Sequence, residues 1–100
     1  MAKHIIWSLK AQNDRMEILK YWKNRNKSSV YSKKLFVLFQ EAIQIIAKHP
    51  EIGSLTEFDS IRSKVVRDYQ IFYKASEDAI QILAIWDSRR DPEKLEGRFE

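Results

Sequence analysis

The sequence predicts a single α+β domain over residues 1–100: a short N-terminal strand, then a helical hairpin packed on one face of a twisted, mostly antiparallel sheet, in the order β-α-α-β-β-β. Three observations carry this prediction. Runs beginning at Ile61, Tyr69 and Ala79 are rich in β-branched and aromatic residues and are separated by polar breaks, the pattern of an antiparallel meander. Upstream of them, two longer stretches repeat apolar residues at helical spacing. A chain of 100 residues, 44% apolar and 12% aromatic, is the size of one domain and holds enough apolar mass for a core.

His4-Ile5-Ile6-Trp7 is the opening strand. Ser8 is placed to cap a helix, its hydroxyl accepting from an early N–H that has no partner within the helix. That helix should span residues 9–24. Ala11, Ile18 and Trp22 recur on one face, with Met16 and Leu19 broadening the stripe. Arg15 falls on the same face, and its stem is expected to snorkel to the edge. A polar connection leads to a second helix over residues 30–48, capped by Ser28 or Ser29. Tyr31, Leu35, Leu38, Phe39, Ala42, Ile45 and Ile46 make one wide stripe, extended by Phe36 and Ile43, so this helix should touch both its partner helix and the sheet. His49-Pro50 ends it, because proline disfavours the α region for the residue before it. Residues 51–60 read as one long loop. Gly53 is expected to supply a positive φ, and Ile52, Leu55 and Phe58 to pin the loop to the body.

Alternation assigns the faces of the later strands. Tyr69, Ile71 and Tyr73 share one face; Gln70, Phe72 and Lys74 share the other. Ser76-Glu77-Asp78 is the hairpin turn. Ile80, Ile82, Ala84 and Trp86 then face one way, and Gln81, Leu83, Ile85 and Asp87 the other. Both faces are largely apolar, which places this strand centrally. Two helices cover one face only, so an apolar face is left over, and on a small domain such a surplus marks a partner site. Phe72, Leu83 and Ile85 are its expected contacts. Pro92 cannot donate to a ladder, so the strand ends by there, and residues 93–100 form a polar tail.

Composition narrows the chemistry. With no cysteine there are no disulfides and no thiolate metal sites, which fits a reducing cytoplasm. No apolar run is long enough for a membrane span, and the N-terminus lacks a signal-peptide core, so a cytoplasmic protein without membrane partners is expected. The net charge of +4 comes from the first sixty residues, where Lys20 to Lys34 holds six basic residues and no acidic one. That run is either a solvated helix tip or a footprint for an acidic partner. His4 and His49 stand at element ends without a second ligand, and two glycines make no phosphate loop. No metal and no cofactor are expected.

The remaining chemistry is cationic. Arg62, Lys64 and Arg67 lie within one predicted strand, Arg62 and Lys64 on one face and Arg67 on the other unless a bulge intervenes. Arg89 and Arg90 stand at the end of the last strand. Such a set can clamp phosphates or stabilise the charge that develops in RNA cleavage. It can equally meet acidic side chains of a partner protein, or be tied up internally by Asp68, Asp87 and Asp91.

An ordered set of motifs resembles the RelE/ParE toxins of type II toxin–antitoxin modules. It comprises Ile6-Trp7-Ser8-x-x-Ala11 followed by Asp14 and Ile18; Ala42-Ile43-x-x-Ile46-x-x-His49-Pro50-Glu51-Ile52-Gly53; Val65-Val66-Arg67-x-Tyr69-x-Ile71-Phe72-Tyr73; and Ile82-x-x-Ile85-x-Asp87-x-Arg89-x-x-Pro92-x-x-Leu95. The resemblance implies a toxin neutralised by a cognate antitoxin, which would cover Phe72, Leu83 and Ile85 and would be the only route to operator DNA. One branch of that family cleaves mRNA on the ribosome and the other poisons DNA gyrase. The cleaving branch carries an arginine after the aromatic that opens the third strand and a tyrosine or histidine in the tail; here those positions hold Gln70 and Leu95, which cannot move a proton. The gyrase branch is therefore the expected one, with Arg67, Arg89 and Arg90 meeting the target. The alternative is a ribosome-dependent mRNA endonuclease using Arg62, Lys64, Arg67 and Arg89.

Overall fold

A computed structural model of the chain describes residues 2–89. The elements are β1 (His4–Trp7), α1 (Leu9–Asn26), α2 (Val30–Lys48), β2 (Ser54–Leu55), β3 (Ile61–Val66), β4 (Tyr69–Ala75) and β5 (Ala79–Asp87). The strands form one five-stranded sheet in the order β1-β5-β4-β3-β2. Every neighbouring pair is antiparallel except β1 and β5, which run parallel. Arg90, Asp91, Pro92, Leu95 and the polar tail lie outside the described residues.

Most boundaries follow local chemistry. Ser8 caps α1, its hydroxyl accepting from Ala11 N at 3.0 Å. α1 runs two residues beyond the predicted Asn24, to Asn26, and stops where Lys27 takes a left-handed conformation with φ 50°. Ser29 is the N-cap of α2 by position, while the hydroxyl that accepts from Val30 N, at 3.2 Å, belongs to Ser28. α2 buries Leu35, Phe39, Ala42, Ile43 and Ile46 against the sheet and α1. Met16 does not join the α1 stripe; it is 59% exposed. Arg15 lies over the Trp7 ring at 4.2 Å and near the Phe36 ring at 5.5 Å, so its cation is held between two aromatics rather than carried to solvent.

The predicted loop at 51–60 contains β2, which pairs with Arg62 and Ser63 at the edge of the sheet. Ile52 and Leu55 do not pin this segment, since both are exposed; Phe58 alone of the three packs inward. Gly53 does not have a positive φ. Its lack of a side chain serves a close approach instead: a Cβ there would meet Tyr73 Oη at 2.5 Å and Ser63 O at 2.9 Å.

The last strand corrects the face assignment. Phe72 pairs with Ala84 and Tyr73 with Ile82, so Leu83 is an extra residue, a bulge in β5. Beyond it the alternation inverts. Ile80, Ile82 and Ile85 all belong to the main core under the helices. Leu83 and Trp86 lie on the opposite face, with Ile61, Phe72 and Phe58. The expected grouping of Leu83 with Ile85 is therefore wrong, and so is the expected open apolar face: Phe72 is 3% and Trp86 5% exposed. Among the described residues, the large apolar side chains that remain exposed on that side are Ile6 and Val65, with Leu83 half-buried.

Candidate functional site

β1 is shorter than β5 and pairs with it only as far as Ile82. Past that point the edge of β5 would present unpaired backbone groups, and α1 covers them. Ser8 N donates to Ile82 O at 3.0 Å and the Ser8 hydroxyl to Leu83 O at 3.0 Å. One turn further along, the Asp14 carboxylate accepts from Ile85 N at 3.1 Å. Because α1 meets the sheet through side chains rather than a ladder, a groove of about 430 Å³ opens between them, lined by Asp14, Glu17, Ile18, Tyr21, Tyr69, Ile85, Asp87 and Arg89.

Its floor is rigid. Tyr69 is buried and accepts from Trp22 Nε1 at 2.7 Å, tying α1 to β4. Burial raises the Tyr69 phenol above its ordinary pKa, against the opposing pull of that hydrogen bond. At the rim Arg89 is held by Asp87. Arg89 N and Nε donate to Oδ1, both at 2.9 Å, and Nη2 donates to Oδ2 at 2.8 Å. That hydrogen-bonded carboxylate raises the Arg89 pKa further above the arginine range. The adjacent turn is stapled to the same corner: Ser88 N donates to Asp68 O at 2.8 Å, and Gln70 Nε2 to Ser88 Oγ at 3.3 Å.

The sequence-predicted cations are not brought together. Arg67 lies outside β3, at the first position of the two-residue turn into β4 with φ 56°, which settles its parity. It shares the Arg89 end of the sheet. Arg62 is toward the other end, donating to Glu51 O at 3.3 Å and Gly53 O at 2.8 Å. It braces the Pro50–Gly53 segment together with Tyr73, whose hydroxyl accepts from Gly53 N and donates to Pro50 O. Lys64 pairs in register with Ile71, on the face that carries the helices. Lys20, Lys23, Arg25, Lys27, Lys33 and Lys34 are all exposed around the tip of the helical hairpin. Among the described residues no three His, Cys, Asp or Glu side chains are grouped to hold a metal ion. No described helix is long and apolar enough to cross a membrane.

Asp14, Glu17 and Tyr21 were not singled out as groove residues from sequence. The available signal was Asp14 itself, a carboxylate three residues after Ala11 and four before Ile18, hence on the buried side of α1 where an acid needs a partner.

Two helices on one face of a mixed sheet, with a groove at the α1–β5 edge, define a small two-layer α+β domain. A family model described as the ParE toxin of the type II toxin–antitoxin system parDE matches residues 5–92, and the chain belongs to that family. Among solved structures it is similar to a chain of one described as the chromosomal ParDE TA system from P. aeruginosa. That match has a TM-score of 0.71 at 17% identity and covers 84% of this chain and 94% of the other, a likeness of fold. A search of curated protein sequences returns no match.

Proposed function

We propose that the chain inhibits growth by binding a protein target, DNA gyrase, and that a cognate antitoxin neutralises it. The observation that supports a protein target over mRNA is the condition of the cations. Arg62 donates to main-chain carbonyls, Arg89 is ion-paired with Asp87, and the groove beside Arg89 is lined by Asp14 and Glu17. Phosphate binding draws on uncompensated positive charge, and strand cleavage needs a group that can transfer a proton. Gln70 cannot, and it is engaged with Ser88. His4 pairs in register with Ala79, at the start of β5 and the far end from Arg89. Arg67 and Arg89 are the target contacts in this reading, with Arg90 following Arg89 in the chain. The antitoxin segment covers the face opposite the helices, over Ile6, Val65 and Leu83. The test is induced expression in bacterial cells: growth arrests, and co-expression of the antitoxin encoded beside it restores growth. Unchanged growth under strong induction of soluble, folded chain contradicts the proposal.

A further inference from the structure

We infer that the tip of the helical hairpin is a sequence-independent docking surface for the phosphate backbone of duplex DNA. The end of α1, the connection after it and the start of α2 carry Lys20, Lys23, Arg25, Lys27, Lys33 and Lys34, all exposed, and residues 20–34 contain no acidic side chain. The excess survives in the whole sequence. Residues 90–100 set Asp91, Glu93, Glu96 and Glu100 against Arg90, Lys94 and Arg98, a difference of one charge that does not offset six. Helix stability accounts for only part of the run. Lys23 and Arg25 suit the last turn of α1, where the helix dipole favours cations. Lys33 closes the first turn of α2 and Lys34 follows it, near the positive end of that dipole, and no acid stands in that turn to balance them.

Composition decides the kind of partner. From Lys23 to Ser29 the chain reads Lys-Asn-Arg-Asn-Lys-Ser-Ser, without one apolar residue. A protein interface centres on apolar and aromatic anchors and is poor in lysine. Lysine, arginine, asparagine and serine are side chains that contact phosphate and sugar. A single strand needs exposed rings on which successive bases stack. The rings at the tip pack on one another instead: Trp22 stands edge-on to Tyr21 at 5.2 Å and to Tyr31 at 4.9 Å. Of the three only Tyr21 is exposed, and one ring is no platform for successive bases. A duplex is therefore the fitting form. The choice of DNA over RNA rests on the reading of gyrase, which works on duplex DNA, as the target. Trp22 Nε1 donates to Tyr69, whose backbone pairs in register with Asp87, so the tip stands at the end of the sheet that carries Arg67 and Arg89. A chain that meets gyrase through those arginines brings the hairpin tip to the same side.

The test is fluorescence anisotropy of the full purified chain with labelled duplexes of about 20 base pairs and two unrelated sequences, from about 50 to about 200 mM salt. Both duplexes bind alike, and affinity falls about a hundredfold across that range, the dependence of about four neutralised phosphates. Lys27→Gln/Lys33→Gln, which removes two of the contacts, reduces that fall to about tenfold. Lys27→Arg/Lys33→Arg keeps the wild-type fall, which separates lost charge from a damaged fold. Lys48→Gln/Lys74→Gln removes the same charge from exposed positions at the opposite end of the molecule and leaves the fall unchanged. An equal loss in the two glutamine pairs overturns the inference, because net charge and not the tip is then responsible. No binding at about 50 mM overturns it in favour of an acidic protein partner. A tenfold preference for single-stranded DNA or for duplex RNA overturns the assignment to duplex DNA. Gyrase is absent from this measurement, so the two readings fail separately: intact DNA binding with unaffected supercoiling sinks the gyrase reading, and lost supercoiling without DNA binding sinks the tip.

Discussion

Tyr73 is fully buried, yet its hydroxyl has two partners, accepting from Gly53 N at 2.9 Å and donating to Pro50 O at 2.7 Å. One side chain in the middle of the sheet thus closes the segment that follows α2. Removing the hydroxyl leaves the Gly53 N–H buried and unpaired, which costs about 1–3 kcal/mol. Tyr73→Phe is therefore expected to lower the unfolding free energy by that amount, read as a lower urea midpoint with the slope unchanged; a change within about 0.5 kcal/mol contradicts the role. Gly53→Ala should cost about 1–3 kcal/mol by crowding rather than by backbone strain, because the Cβ has no room between Tyr73 and the Ser63 carbonyl. Adding Tyr73→Phe, which removes the nearest clashing atom, should recover part of that loss. Absence of any coupling between the two changes in the same unfolding assay is evidence against the clash.

At the scale of elements, the β5 bulge decides what the sheet can bury. It lets Ile85 join the helix-side core and Trp86 the opposite cluster, so both are under a tenth exposed although simple alternation puts each on the other face. Trp86→Ala is expected to cost about 3–5 kcal/mol by denaturant unfolding. Deleting Leu83 should cost little more than replacing it by alanine, because deletion removes the extra residue and leaves Ala84, Ile85 and Trp86 paired with Phe72, Ile71 and Gln70 on the faces they already occupy. A melting temperature for the deletion far below that of Leu83→Ala contradicts the register argument. The same bulge marks where legibility stopped. β1 and α2 follow from His4-Ile5-Ile6-Trp7 and from the long apolar stripe ended by His49-Pro50, since propensity, capping and periodicity agree there. A bulge has no local signature in Ile82-Leu83-Ala84, and β2 is too short to show alternation, so both depend on partners distant in sequence. The groove was only partly legible for the same reason: Arg89 was visible as a strand-end cation, but its pairing with Asp87 competes with several other pairings that the sequence allows.

At the scale of the whole molecule, two tyrosines couple the fold to alkaline pH. Burial raises the pKa of both Tyr69 and Tyr73 above the ordinary 10.0, partly offset by Trp22 Nε1–H and the Gly53 N–H. A phenol whose pKa is raised on folding adds stability that is complete below its unfolded value. That stability is lost as pH rises through the folded value. The urea midpoint should therefore be flat from about pH 7 to about pH 9 and fall above about pH 10. Tyr73→Phe should make that fall shallower, and a midpoint unchanged into strong alkali contradicts the account. The central claim is that a toxin of this fold, with Arg62 and Arg89 tied into the structure, meets a protein and not RNA. Its most direct test is a supercoiling assay with purified DNA gyrase, run beside primer extension on translated mRNA from cells expressing the chain. The account predicts lost supercoiling with intact transcripts. Cleaved transcripts with normal supercoiling would contradict it and would mean that Arg67 and Arg89 act on phosphates despite the carboxylates around them.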